Sequence, residues 1–178
     1  YAARALTEVG MQDLKQFVVD IPDFPQPGIL FRDISPLLRR HFAATIESIE
    51  RLFSEAEWDA VDAVAGIESR GFILASALAE RRSKGFVPIR KKGKLPPPVV
   101  DIAYDLEYGT GVLEMQAGQG RLLLVDDVLA TGGTLAASMV LSRQAGYVVQ
   151  GVGVLIDIGI APGFRCEDHV PRIVLQYG

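Results

Sequence analysis

The run Leu122-Leu123-Leu124-Val125-Asp126-Asp127-Val128-Leu129-Ala130-Thr131-Gly132-Gly133-Thr134 constrains this chain more than any other stretch. Its apolar start predicts a buried strand, two carboxylates follow at the strand's C-terminal end, and a Thr-Gly-Gly-Thr turn opens the next predicted helix. Ligands of open α/β sheets bind at the carboxyl ends of the strands. There the glycines let backbone amides approach a ligand closely, the helix N-terminus favours an anion, and the threonine hydroxyls add donors. The turn Ala130, Thr131, Gly132, Gly133 and Thr134 is therefore read as a phosphate cradle. Adjacent carboxylates repel phosphate but accept hydrogen bonds from sugar hydroxyls. Phosphate on the turn and a ribose diol on Asp126 and Asp127 describe a 5-phosphoribosyl group. The competing reading makes Thr131 or Thr134 a helix cap and the aspartates a solvated strand end. No Walker loop occurs, and no Gly-x-Gly-x-x-Gly follows a strand.

The surrounding pattern supplies the sheet. Val61–Ile67, Gly85–Ile89, Arg121–Asp126, Tyr147–Ile156 and Arg172–Tyr177 read as strands, with helices predicted over Phe72–Arg82 and Leu135–Ala145. Short apolar runs alternating with helices indicate parallel strands joined by crossovers, a mainly parallel twisted sheet flanked by helices. Upstream, periodic apolar residues predict helices over 4–19 and 36–54. Between them Ile21–Gly28 carries three prolines and reads as an extended or turn segment that delivers Ile29–Asp33. Arg90-Lys91-Lys92-Gly93-Lys94-Leu95-Pro96-Pro97-Pro98 opens a long excursion to about Ala117, continued by two short strand-like pieces joined at Tyr108–Gly111. Being polar, proline-rich and tethered only at its ends, the segment 90–108 is predicted to be mobile without ligand.

Composition narrows the function classes. Eighteen Lys and Arg against 22 Asp and Glu leave a net charge of −4, which lacks the basic footprint of a nonspecific nucleic-acid binder. At 178 residues, 49% hydrophobic and 22% charged, the chain reads as one globular domain with its own core. Cys166 is the single cysteine, so no internal disulfide forms and a cysteine-based metal site is excluded; a reducing, cytoplasmic compartment is expected. No stretch reaches the roughly 20 apolar residues of a membrane span, and no signal-peptide core precedes Glu8.

The 122–134 run resembles the phosphoribosyl pyrophosphate signature of the type I phosphoribosyltransferases. Further segments appear in that family's order: Asp23–Pro25, Pro27–Ile34, Gly66-Ile67-Glu68-Ser69-Arg70-Gly71-Phe72, Ile89–Pro96 and Tyr104–Gly109. They bring the likeness closest to the adenine-using members, over roughly residues 4–158. The resemblance implies transfer of a phosphoribosyl group from phosphoribosyl pyrophosphate to adenine, with AMP and pyrophosphate as products. It also implies Mg2+ carried by the substrate with no direct protein ligand, a homodimer, and a small N-terminal hood (about 1–35) over the sheet's carboxyl edge. Two departures stand out. Pro97 replaces the usual glycine, which stiffens or re-aims its segment, and the tail after Asp157 matches poorly until Arg172–Tyr177 and supports no assignment.

Residue roles follow from the same likeness. Glu68, Ser69 and Arg70 end a strand and start a helix; the resemblance makes this a pyrophosphate loop with a non-proline cis peptide, where Arg70 suits bidentate phosphate binding. Its plain alternative is a surface arginine at a helix start. Phe31 taken alone reads as core; the resemblance has it stack on adenine while the backbones of Leu30 and Arg32 read the ring edge. Arg90 and Lys91 are assigned to pyrophosphate, against a merely solvated basic face. Tyr108 is placed there too, and Glu107 as the acid/base that exchanges a proton at adenine N7. His41 and His169 read as surface histidines. The rivals are a sibling using hypoxanthine, guanine or xanthine, and a noncatalytic nucleic-acid-binding regulator.

Overall fold

The computed structural model describes residues 14–106 and 109–177, and the chain divides into two compact units, Tyr1–Arg51 and Leu52–Gly178. In the first, a 3-10 turn at Lys15–Phe17 leads to β1 (Val19–Pro22), which pairs antiparallel with β2 (Leu30–Asp33). The proline-rich segment is the turn of this hairpin, where Gly28 takes φ +88° and its amide donates to the Asp23 carboxylate at 2.7 Å. The helix predicted over 4–19 lies mostly outside the described residues, and its last part is the 3-10 turn and the start of β1 instead.

The predicted 36–54 helix is two helices, α1 (Ser35–Arg40) and α2 (Phe42–Glu50). They break at His41, whose φ of −130° and ψ of 27° are not helical and whose ring stacks on Phe17 at 3.8 Å. Apolar spacing continues across the break, so periodicity alone hides it.

The second unit is built on seven strands. After α3 (Glu55–Asp59) come β3 (Ala63–Ile67), α4 (Arg70–Arg81), β4 (Gly85–Lys91) and the hairpin β5 (Val99–Leu106) and β6 (Gly109–Gln116). Then follow β7 (Gly120–Leu129), α5 (Gly133–Gln144), β8 (Tyr147–Asp157) and β9 (Arg172–Gln176). Spatial order is β5-β6-β4-β3-β7-β8-β9, with β4, β3, β7, β8 and β9 mutually parallel and the hairpin antiparallel at the β4 edge. β7 sits inside the sheet, paired on both sides, so its Leu122–Val125 run is buried throughout. The excursion after Arg90 is thus largely an extension of the sheet. No helix among the described residues is long and apolar enough to cross a membrane.

Candidate active site

Asp126 and Asp127 lie where β7 nears its end, each only 7% exposed. Helix α4 starts against them. A Cβ on Gly71 would stand 2.8 Å from Asp126 Oδ1 and 3.1 Å from the Val125 carbonyl, so only glycine lets this helix start come so near the strand. The Asp127 amide donates to Asp126 Oδ1 at 2.9 Å, and Arg70 Nε lies 2.6 Å from Asp127 Oδ2. Burial pushes both carboxyls above the usual range, and at Asp126 the neighbouring Asp127 charge pushes further. At Asp127 the Arg70 guanidinium opposes burial. The two carboxyls therefore titrate as a coupled pair. Two adjacent carboxyls, one of them paired with a cation, offer acceptors to a diol.

The turn after β7 has the geometry of an anion cradle. Gly132 takes φ +88° as the N-cap of α5, and no side chain caps this helix start. Capping by Thr131 or Thr134 is thereby excluded, and the first-turn amides that a cap would have satisfied are left for a ligand. A cavity of ≈ 70 Å³ opens here, lined by Asp126, Val128, Ala130, Thr131, Gly132 and Thr134. Gly133 is the first residue of the helix itself.

The turn from β3 to α4 holds Glu68, Ser69 and Arg70, and the Glu68–Ser69 peptide is cis, as the family likeness implies. Glu68 faces the end of β4 rather than open solvent. Its Oε2 accepts from the Lys91 amide at 3.0 Å and from Arg90 Nε at 3.2 Å. Burial raises the Glu68 carboxyl, but the Lys91 amide and Arg90 together outweigh it and hold it below its ordinary range. Glu68 thereby lies against the Arg90 guanidinium. Arg90 also lies over the Phe72 ring, 5.8 Å from its centroid, while Lys91 is exposed. Lys92 is taken by Asp101 at 2.7 Å.

The basic segment carries tethers that its sequence did not reveal, so it is not held only at its ends. Glu114 on β6, 2% exposed, accepts from the amides of Gly93, Lys94 and Leu95 at 2.9, 2.6 and 2.7 Å. The Lys92 amide donates to the Val112 carbonyl at 3.0 Å. No motif marks Glu114; its register opposite Arg90 is the only signal, and that appears once β4 and β6 are paired. Phe164 is a second residue the sequence did not single out. Its ring packs on Gly132 where a Cβ would be, 2.1 Å from that position at the nearest atom, so the poorly matching tail backs the glycine turn.

Leu30, Phe31 and Arg32 lie on β2 in the first unit. Phe31 is half-buried with Phe24 edge-on at 5.1 Å, Leu30 is 48% exposed, and Arg32 pairs with Asp20 across the hairpin. Glu107 and Tyr108 fall outside the described residues.

Comparison with known proteins agrees with this geometry. The phosphoribosyl transferase domain family matches residues 38–160. Adenine phosphoribosyltransferase of Hydrogenovibrio crunogenus is 49% identical over 165 residues, spanning 92% of this chain and 96% of that protein. The crystal structure of adenine phosphoribosyltransferase from Rhodothermus marinus superposes with a TM-score of 0.81 at 42% identity, covering 93% of this chain and 97% of that one. The Saccharomyces cerevisiae enzyme, complexed with adenine and an imino-altritol bisphosphate, gives a TM-score of 0.86 at 32% identity, covering 93% and 98%.

Proposed function

This chain belongs to the adenine phosphoribosyltransferases of the phosphoribosyl transferase domain family, and from that membership we propose what its residues do. The enzyme transfers the 5-phosphoribosyl group of phosphoribosyl pyrophosphate to adenine, giving AMP and pyrophosphate, a purine-salvage reaction. The observation that carries this reading is the uncapped α5 start directly behind the Asp126–Asp127 pair. It offers amides to a 5-phosphate and carboxyls to the ribose diol of the same ligand.

In the proposed reaction adenine N9 forms the bond to ribose C1 as the C1–oxygen bond to pyrophosphate breaks, through an oxocarbenium-like state. Arg70, Arg90 and Lys91 offset the charge gathering on the leaving group, with Ser69 and Tyr108 beside them and Glu68 holding Arg90. Glu107 takes or returns the proton at adenine N7. Leu30 and Arg32 read the adenine edge with their main chain, and Phe31 stacks on the ring. A hood of about residues 1–35 and a segment of about 90–117 that orders on substrate binding complete the domain.

Magnesium fits this site as a passenger of the substrate. Asp127 is taken by Arg70 and burial disfavours charge on Asp126, so phosphate oxygens and water are the better ligands. Bound there, the ion would neutralise charge on the pyrophosphate. A homodimer follows from family membership, and the single cysteine fits a reducing cytoplasm.

The test is pyrophosphate release with competing bases. Adenine is expected to exceed hypoxanthine and guanine in kcat/KM by roughly tenfold or more, since a base that leaves a buried polar group unpaired loses about 1–3 kcal/mol. Equal use of hypoxanthine would move the chain to the sibling function. Glu107→Gln is expected to lower kcat more than it raises KM for adenine.

A further inference from the structure

Lys94 joins two bonds that run in one direction. Its amide donates to Glu114 Oε1 at 2.6 Å, and its carbonyl accepts from Arg90 Nη1 at 3.2 Å. On the other side, Arg90 Nε reaches Glu68 Oε2 at 3.2 Å. The Arg90 guanidinium is therefore clamped between a carboxylate and a main-chain carbonyl, and that carbonyl is fixed by a second, buried carboxylate. Glu114 makes no ion pair among the described residues; its charge is met chiefly by the three consecutive amides of Gly93, Lys94 and Leu95. A buried carboxylate is tolerated only when so satisfied, and in return it holds the amides strongly, because a charged acceptor binds about twice as well as a neutral one.

We propose that Glu114 is a positioning residue for pyrophosphate: through the main chain of Lys94 it sets the place of the Arg90 guanidinium. The other ties of the segment Lys92–Leu95 gather at Lys92, whose ammonium meets Asp101 at 2.7 Å. The Lys92 amide is bound by Val112, and the Lys94 side chain is exposed. Without the anchor the Lys94 carbonyl loses its fixed position, and Arg90 loses one of its two clamps. A cation that must order itself on binding costs affinity that a preset one does not. The effect is confined to the anion held by Arg90. The ribose-phosphate cradle at Ala130–Thr134 belongs to another turn and is unaffected.

This inference rests on the reading of Arg90 as a pyrophosphate ligand, and the experiment separates the two. Calorimetry with pyrophosphate and, separately, ribose 5-phosphate is run on the full chain as wild type, Glu114→Gln, Arg90→Ala and the double variant. Glutamine keeps the shape but offers one oxygen where three amides need acceptors. Pyrophosphate affinity is expected to fall roughly tenfold in Glu114→Gln, with ribose 5-phosphate affinity unchanged. Arg90→Ala is expected to lose at least as much, and the double variant no more than Arg90→Ala alone. Wild-type pyrophosphate affinity in Glu114→Gln, or an equal loss for ribose 5-phosphate, overturns the anchor. Wild-type affinity in Arg90→Ala overturns the Arg90 reading and the anchor with it. Amide exchange in the unmutated chain gives an independent check: Gly93, Lys94 and Leu95 are expected to be protected, and free exchange at all three sinks the proposal.

Discussion

Arg70 and Asp127 meet at 2.6 Å, joining the first residue of α4 to the carboxyl end of β7. The contact ties the turn proposed for pyrophosphate to the acid proposed for ribose. Both side chains are mostly buried, at 31% and 11% exposed, which places the pair above the value of a surface ion pair. Asp127→Asn removes a charged acceptor and the ion pair between Arg70 and Asp127. Phosphoribosyl pyrophosphate affinity is expected to fall about 10- to 100-fold, following the ~1.5–3 kcal/mol of hydrogen bonds to charged groups. Calorimetry reads the loss, with circular dichroism as the check on folding; undiminished affinity removes Asp127 from the site.

Asp126→Asn tests the buried pair through stability. The folded state raises the Asp126 carboxyl, so the unfolded chain ionises it first and releases its proton as pH rises above the usual carboxylate range. Burying an aspartate there costs stability at neutral pH and costs little in acid. The asparagine variant is expected to melt higher than wild type at pH 7, each kcal/mol being worth about 2–4 °C for a chain of this length. The gain should shrink as pH falls toward the unfolded value. A lower Tm at pH 7, with the fold intact, contradicts the assignment.

Gly132→Ala should be costly twice over. Its φ of +88° disfavours a side chain, and the added Cβ would sit 2.1 Å from Phe164 Cε2. A loss of about 1–3 kcal/mol is expected, with weaker phosphoribosyl pyrophosphate binding as the turn is pushed out of place. Adding Phe164→Ala removes the collision but not the backbone strain, so the double variant should recover part of the lost Tm. Strict additivity of the two changes would show that the ring does not back the turn.

Glu57 offers an acid-stability test away from the site. It completes a capping box with Ser54 at the start of α3 and pairs with Arg172 on β9, and its carboxyl is lowered to about 2, chiefly by Arg172. The stabilisation is present above the unfolded carboxylate value and is lost as pH falls toward 2. Because both side chains are over a third exposed, Glu57→Gln should cost about 1 kcal/mol or less at pH 7. Wild type and variant should draw together in thermal melts as pH falls from the unfolded carboxylate value toward 2; a difference that stays constant over that range would show that charge is not the cause.

The parallel sheet and the glycine turn after β7 were legible from the chain alone. Both are contiguous: an apolar run, two acids and a glycine turn declare strand, ligand end and helix start through local rules that need no partner. The Glu68–Arg70 turn was legible for the same reason. What lies across the fold was not. His41 breaks a helix whose periodicity runs on, because its ring finds Phe17. The contact of Glu68 with Arg90 and the Lys91 amide is set only once β4 is laid beside β3. Glu114 and Phe164 carry no motif, since a carboxylate on a strand and an aromatic in a glycine-rich tail are ordinary residues until packing sets one on three amides and the other on Gly132. Tertiary structure decided these roles, because a hydrogen bond or a ring contact depends on which chain segments meet, and local sequence constrains that only weakly.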